Sequence, residues 1–268
     1  MLTIQKRPNE IVSLLTADFQ PRYEPQFAWK SAVSQHQALP GLRGFWPTSS
    51  FDDAGDMYDL GGQGRTLTLN GDPLYGIDGL APLILLDGVG DYFSRADEAG
   101  LDITGTESYI GATRRGLTLG GWYKFSNVAG ATEYMLSKWD SSVADQRSYR
   151  LNRNVAGAIG FGVSSLGTLA SVTSVTTTSS PAADEWFFGA GRFDNTNNEI
   201  EVWYNSESAT AAYGNTIFSG TADFNMGARH NGNDLMTGRL SLQFLCAAAL
   251  PDAVVGQLFQ QTRAMFGV

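Results

Sequence analysis

The stretch Asp223–Leu240, DFNMGARHNGNDLMTGRL, constrains this chain more than any other. An apolar run ends in Gly-Ala, a polar Asn231-Gly232 pair follows, and a second apolar run begins around Gly238. Asn-Gly between apolar runs predicts a β-hairpin, because both residues tolerate positive φ. The same grammar recurs from Gly41 onward. GLRGFWP (41–47), DLGGQGRTLTLN (59–70), LILLDGVGDYF (83–93), TLGGWYKF (118–125), EYMLSK (133–138), SYRLNR (148–153) and AIGFGV (158–163) are short apolar segments separated by turn residues. WFFGAGRF (186–193), the DNTNN turn (194–198) and EIEVWY (199–204) continue the series. Such spacing predicts an antiparallel sandwich or barrel.

Two regions depart from the pattern. Ser164–Ser180 is rich in Ser and Thr, but Leu166, Leu169, Val172 and Val175 within it predict a loop and strand rather than a flexible linker. After Pro251, DAVVGQLFQQTRAMF (252–266) has helical spacing, with Asp252 expected as its cap and Val254, Val255, Leu258, Phe259 and Met265 facing the sheet. Residues 1–40 carry Pro8, Pro21, Pro25 and Pro40 and form an expected N-terminal arm. A short helix is read at Asn9–Phe19, while Phe27, Trp29 and Val33 follow without a clear period. The arm is expected to dock, either on its own domain or on a neighbour.

The segments, in order, resemble the laminin G-like (concanavalin A-like) jelly-roll family. GLRGFWP is similar to its opening Gly-Leu-x-Gly-Tyr-Trp-Pro, and LLDGVGDYFS to Phe-Asp-Gly-x-Asp-Asp-Tyr-Val, with Gly90 in place of the first paired acid. DLGGQGRTLTLNG, TLGGWYKF, DEWFFGAGRFDNTNNEIEVWYN, the 223–240 segment and the closing Ala-Leu-Pro-Asp complete seven motifs over residues 41–268. The resemblance implies an all-β, two-sheet antiparallel jelly-roll sandwich with an N-terminal extension and a short C-terminal helix. Trp46, Trp122 and Trp186 are expected in its core.

With 18 basic and 27 acidic residues the net charge is −9. No basic face is available for phosphate counterion release, so neither nucleic acid nor an anionic membrane is an expected partner. The longest apolar runs are far shorter than a membrane span, so insertion is not expected either. The lone Cys246 sits in an apolar run and is read as a small buried hydrophobe. His36 and His230 lie in the arm and in a turn, away from any nucleophile motif. Glu199 and Glu201 share one strand face with Trp203, but the third acid of the glucanase pattern is missing, and a solvated charged face is expected. No cofactor is expected. Calcium, bound by related domains at a sandwich rim, has its candidates in the acidic loop at Asp52, Asp53 and Asp56.

The function expected on these grounds is a non-enzymatic structural or adhesion component of a bacteriophage particle: a decoration, neck or tail protein. MLTIQKRPNE lacks the apolar core of a secretory signal, and a virion part made in the host cytoplasm reconciles that with an extracellular type of fold. Partners would be other virion proteins or copies of the chain in a symmetric homo-oligomer, with host surface glycans as ligands. The alternative is a carbohydrate-binding module or lectin using Tyr75, Trp139 or Trp203 as stacking platforms. A glycan hydrolase ranks last.

Overall fold

The computed structural model describes residues 2–3, 24–109, 111–127, 130–141 and 145–268. The helix read at Asn9–Phe19 lies outside them. In chain order the described elements begin with β1 (Leu2–Thr3), α1 (Glu24–Gln37), β2 (Leu42–Trp46), β3 (Thr68–Asn70), β4 (Leu74–Asp78), β5 (Ala81–Asp87) and β6 (Tyr92–Arg95). The long central strands are β7 (Gly116–Phe125), β8 (Glu133–Asp140), β9 (Gln146–Arg153) and β10 (Ile159–Ser164). Then follow β11 (Val172–Thr176), β12 (Phe187–Asp194), β13 (Glu199–Tyr204), β14 (Glu207–Ala212), β15 (Phe224–Met226), β16 (Thr237–Cys246) and α2 (Asp252–Phe266).

The strands form two antiparallel sheets, a jelly-roll sandwich. One has nine strands, ordered β1-β4-β5-β16-β7-β12-β13-β14 with β2 also paired to β16; the other has seven, ordered β11-β10-β9-β8-β15-β6-β3. Period-2 alternation directs Leu117, Leu119, Tyr123 and Phe125 of β7 and Ile159, Phe161 and Val163 of β10 into one apolar cluster between the sheets. Gly191 permits the close approach: a Cβ there would overlap the Phe161 ring.

A second apolar cluster lies on the other face of the nine-stranded sheet, under the two helices. Val255, Leu258, Phe259, Thr262, Met265 and Phe266 of α2 are buried at i, i+3, i+4, i+7 spacing. At roughly 2 kcal/mol each, the five apolar ones contribute on the order of 10 kcal/mol. Gly267, at φ 72°, ends the helix in the left-handed conformation that glycine favours. Trp122 stacks on Phe266 at 4.1 Å and donates from Nε1 to Thr262 Oγ1 at 2.8 Å. The expected core tryptophans are all buried, Trp46 between the sheets and Trp122 and Trp186 beneath α2. Cys246 is buried beside them, where burial pushes its thiol pKa up.

Three expectations need correction. Residues 24–37, read without a period, are the helix α1. Pro25 sits in its first turn, where the missing N–H costs nothing, and Ala28, Ala32 and His36 follow at i+4 spacing on the sheet-facing side. Over this part the arm packs on its own sheet, against β2 and α2. Asp252 is the first residue of α2 rather than its cap; Pro251 holds the cap position and Asp252 pairs with Arg192 at 2.5 Å.

The third concerns Asn231-Gly232. Both residues do have positive φ, 58° and 67°, yet the turn closes only an isolated antiparallel bridge, Arg229 to Asn233, and does not pair the flanking strands, because β15 belongs to the seven-stranded sheet and β16 to the other. The intervening loop folds back over the outside of the seven-stranded sheet. Ser137 Oγ donates to the Ala228 carbonyl at 2.9 Å, the Tyr134 N–H to Asp234 O at 3.1 Å, and a side chain at Gly232 would crowd the Tyr92 ring. His230 lies 3.8 Å from Asp140 and 3.9 Å from Asp223 in this loop.

Candidate functional site

The outer faces of the two sheets differ. The nine-stranded one is covered by α1 and α2, whereas the outward residues of β8–β11 join neither apolar cluster. Across four strands, register places Tyr134, Asn152, Gly160 and Thr176 in one row, and Ser137, Arg150, Gly162 and Ser174 in the next. The sequence IGFGVS of β10 turns Ile159, Phe161 and Val163 inward and leaves glycine at both central outward positions. β10 therefore floors a groove at Gly160 between β9 and β11, which lie two strand spacings, roughly 9.5 Å, apart; over Gly162 the Arg150 side chain lies across, its Nε 3.1 Å from where a Cβ would be. At Gly160 the flanking atoms, Thr176 Cγ2 and Asn152 Oδ1, stand 3.4 and 3.5 Å from where a Cβ would be.

The walls are polar. Arg150 lies with its guanidinium 4.5 Å over the Trp139 ring and donates from Nη1 to the Tyr134 hydroxyl at 2.8 Å. Its Nε is buried without a hydrogen-bond partner. Asn152 is 5% exposed, and its side-chain amide makes no hydrogen bond among the described residues. Ser174 and Thr176 are exposed on the far wall. Such a groove offers fixed donors and acceptors to a hydroxylated ligand, with the rings held beneath rather than presented.

That last point corrects the expected stacking platforms: Trp139 is 2% exposed, Trp203 6% and Tyr75 8%. Trp139 is sealed under Arg150, Trp203 lies under Arg192 at 4.9 Å, and Tyr75 packs against Phe51 at 4.7 Å. Burial, reinforced by Asp91, Asp56 and Asp52, also pushes the Tyr75 pKa up.

The Glu199/Glu201 pair is not a solvated face either. Arg192, buried on the neighbouring β12, pairs with Glu201, with Glu199 at 3.4 Å and with Asp252, and donates to the Leu250 carbonyl at 2.8 Å. Burial raises the Glu201 pKa against the pull of Arg192. One guanidinium thus holds both carboxylates, tying β13 to the start of α2 instead of flanking a scissile bond. In the acidic loop, Asp52 Oδ1 accepts the N–H groups of Ala54 and Asp56, each at 2.9 Å, and Asp56 Oδ1 that of Leu69 at 2.8 Å. Asp53 is exposed beside them. These oxygens shape the turn, and among the described residues no three His, Cys, Asp or Glu side chains converge on a metal position.

No helix among the described residues is long and apolar enough to cross a membrane. The groove escaped sequence reading, although Gly160 and Gly162 alternating with Ile, Phe and Val were its visible signal.

No protein-family model matches the chain, and no curated protein matches it in sequence. In three dimensions it is similar to the binding domain of Paraclostridial Mosquitocidal Protein 1, with 11% identity and a TM-score of 0.63 over 82% of this chain and 52% of that one. It is also similar to the botulinum neurotoxin serotype D ligand-binding domain solved with N-acetylneuraminic acid, with 11% identity and a TM-score of 0.58 over 85% and 52%. A third similar structure is domain 4 of AbnA, a GH43 extracellular arabinanase from Geobacillus stearothermophilus, solved with arabinotriose: 14% identity and a TM-score of 0.58 over 82% and 99%. The chain spans about half the length of the toxin domains and nearly all of the arabinanase domain. At these identities the likeness is one of fold: a jelly-roll sandwich of the kind found in binding domains.

Proposed function

We propose that this chain is a non-catalytic glycan-binding module whose contact surface is the groove on the outside of β8–β11. One observation carries the reading: no helix among the described residues covers this sheet, and at Gly160 it bears a side-chain-free floor walled by an oriented guanidinium, an unpartnered amide and two exposed hydroxyl residues. Two of the structures similar in fold were solved with sugars bound, which supports the class of ligand. The adhesion role in a bacteriophage particle belongs to the same proposal, with the module as the particle's glycan-contacting part.

The test is a glycan array and titration calorimetry on the full chain and on Gly160→Val. Gly160 has ordinary extended geometry with space for a Cβ, so valine fits the strand and fills the groove. Binding that is lost in Gly160→Val at unchanged melting temperature supports the assignment. An array with no bound glycan, or binding indifferent to the valine, overturns it. Imaging of native particles for a repeated copy of the chain tests the virion setting.

A further inference from the structure

Resting on the glycan-binding reading, we propose that the sugar taken by this groove carries a carboxylate, and that Arg150 holds it. The case begins with where the arginines spend their charge. Arg65, Arg95, Arg114, Arg147, Arg153, Arg192 and Arg229 each pair with a carboxylate of the chain. Arg150, like Arg43 and Arg115, has no carboxylate within ion-pair distance among the described residues, in a chain with nine more acidic than basic side chains, and of these three it is the one beside the Gly160 floor. An arginine left unpaired in so acidic a protein keeps its charge available for a ligand.

Its geometry adds to this. The guanidinium lies 4.5 Å over the Trp139 ring and is tethered through Nη1 to the Tyr134 hydroxyl. Its plane is therefore set before any ligand arrives, and little side-chain entropy is lost on binding. The tether is to a neutral hydroxyl, so the full positive charge remains. The remaining lining of the groove, Asn152, Ser174, Thr176 and the two glycines, carries no acid to repel an anion. Asn152 is placed beside Arg150 on the same face of β9 to meet a hydroxyl or amide next to the sugar carboxylate. A neutral sugar would bury the guanidinium further without pairing it, so the site discriminates against neutral ligands by desolvation as well as favouring acidic ones.

The carboxylate could be that of a hexuronic acid or of a sialic acid; its chemistry is shared, and the probes separate the two. Binding of the full chain is measured to polygalacturonate, to sialyllactose, and to their neutral counterparts, carboxyl-reduced polygalacturonate and lactose. The expected result is that at least one acidic probe binds about tenfold or more tightly than its neutral counterpart. Rising salt erases that margin, and Arg150→Gln loses it while keeping the wild-type melting temperature. Should Arg150→Gln fold poorly, the carboxyl-reduced ligand makes the same test on the intact protein. Equal affinity for an acidic probe and its neutral counterpart, with both abolished by Gly160→Val, overturns the carboxylate assignment and leaves the glycan-binding reading standing. Binding of no probe by the wild-type chain, on a glycan array that is also blank, overturns both.

Discussion

Lowering the pH should weaken the docking of α1, and His36 is the reason. Its Nδ1 sits 2.7 Å from the carbonyl of Ala32 and so carries the proton it donates there, while Nε2 is buried with no partner. The ring stacks on Phe45 at 4.9 Å and meets Phe244 edge-on at 5.5 Å. Protonating Nε2 would place a charge among aromatic rings with no acceptor. Burial accordingly lowers the pKa from 6.5 to about 4, against the smaller opposing effect of the Ala32 hydrogen bond.

Because the folded-state value is depressed, the unfolded chain binds the extra proton first. The stability contributed by the neutral ring is complete above pH 6.5 and drains away as the pH falls toward about 4. The shift corresponds to about 3 kcal/mol. The measurement is urea unfolding of the wild type and of His36→Phe across that range. Phenylalanine preserves a ring between Phe45 and Phe244 but cannot titrate, and carboxylates common to both proteins cancel in the difference. The wild type should lose about 3 kcal/mol relative to the variant, and hydrogen exchange should show α1 amides losing protection first. A flat difference curve, together with a His36 resonance that titrates near 6.5 in the folded protein, would refute the reasoning.

Other outcomes follow from the packing. Trp122→Ala should cost about 3–5 kcal/mol in denaturant unfolding, since the indole is fully buried under α2; Thr262→Val should cost about 1–3 kcal/mol by leaving the indole N–H unpaired. Glu201→Gln should destabilise through Arg192, and Arg192→Met with Glu201→Met together should cost less than either change alone, which a double-mutant cycle would show. Asp52→Ala should lower the melting temperature equally with calcium and with chelator, because the lost contacts are to backbone N–H groups; protection by calcium in the wild type alone would contradict this.

Much of the sandwich was legible from local signals. Turn glycines and asparagines mark the strand ends, and the inward positions of β7, β10 and β12 are apolar in alternation. The helix α2 was readable to the residue because its apolar stripe is strong and Pro251 and Gly267 bracket it. In contrast α1 was hidden: its buried side is Ala32 and His36 rather than leucines, and Pro25 reads as a breaker unless its first-turn position is known.

The remaining failures are of partnership rather than of local conformation. Asn231-Gly232 has the backbone of a tight turn, but the identity of the strands it separates is decided by pairing with β6, β8 and β7, which lie about a hundred residues away. Likewise nothing local to Trp139 or Glu201 shows that Arg150 and Arg192, on adjacent strands, will cover them. Burial of a strand residue depends on its cross-strand neighbour, and that information is spread over the whole chain.

The unequal roofing of the two sheets has a consequence for how such a protein can change. Substitutions under the helices are constrained by volume to within a methyl group or so. On β11 the outward Ser174 and Thr176 bear no such load, since they are exposed and the interior is sealed by Val175 and by Ile159, Phe161 and Val163 of β10. Those positions can therefore drift one alternate residue at a time while the melting point stays where it was, and the outer surface can be rewritten without refolding the scaffold.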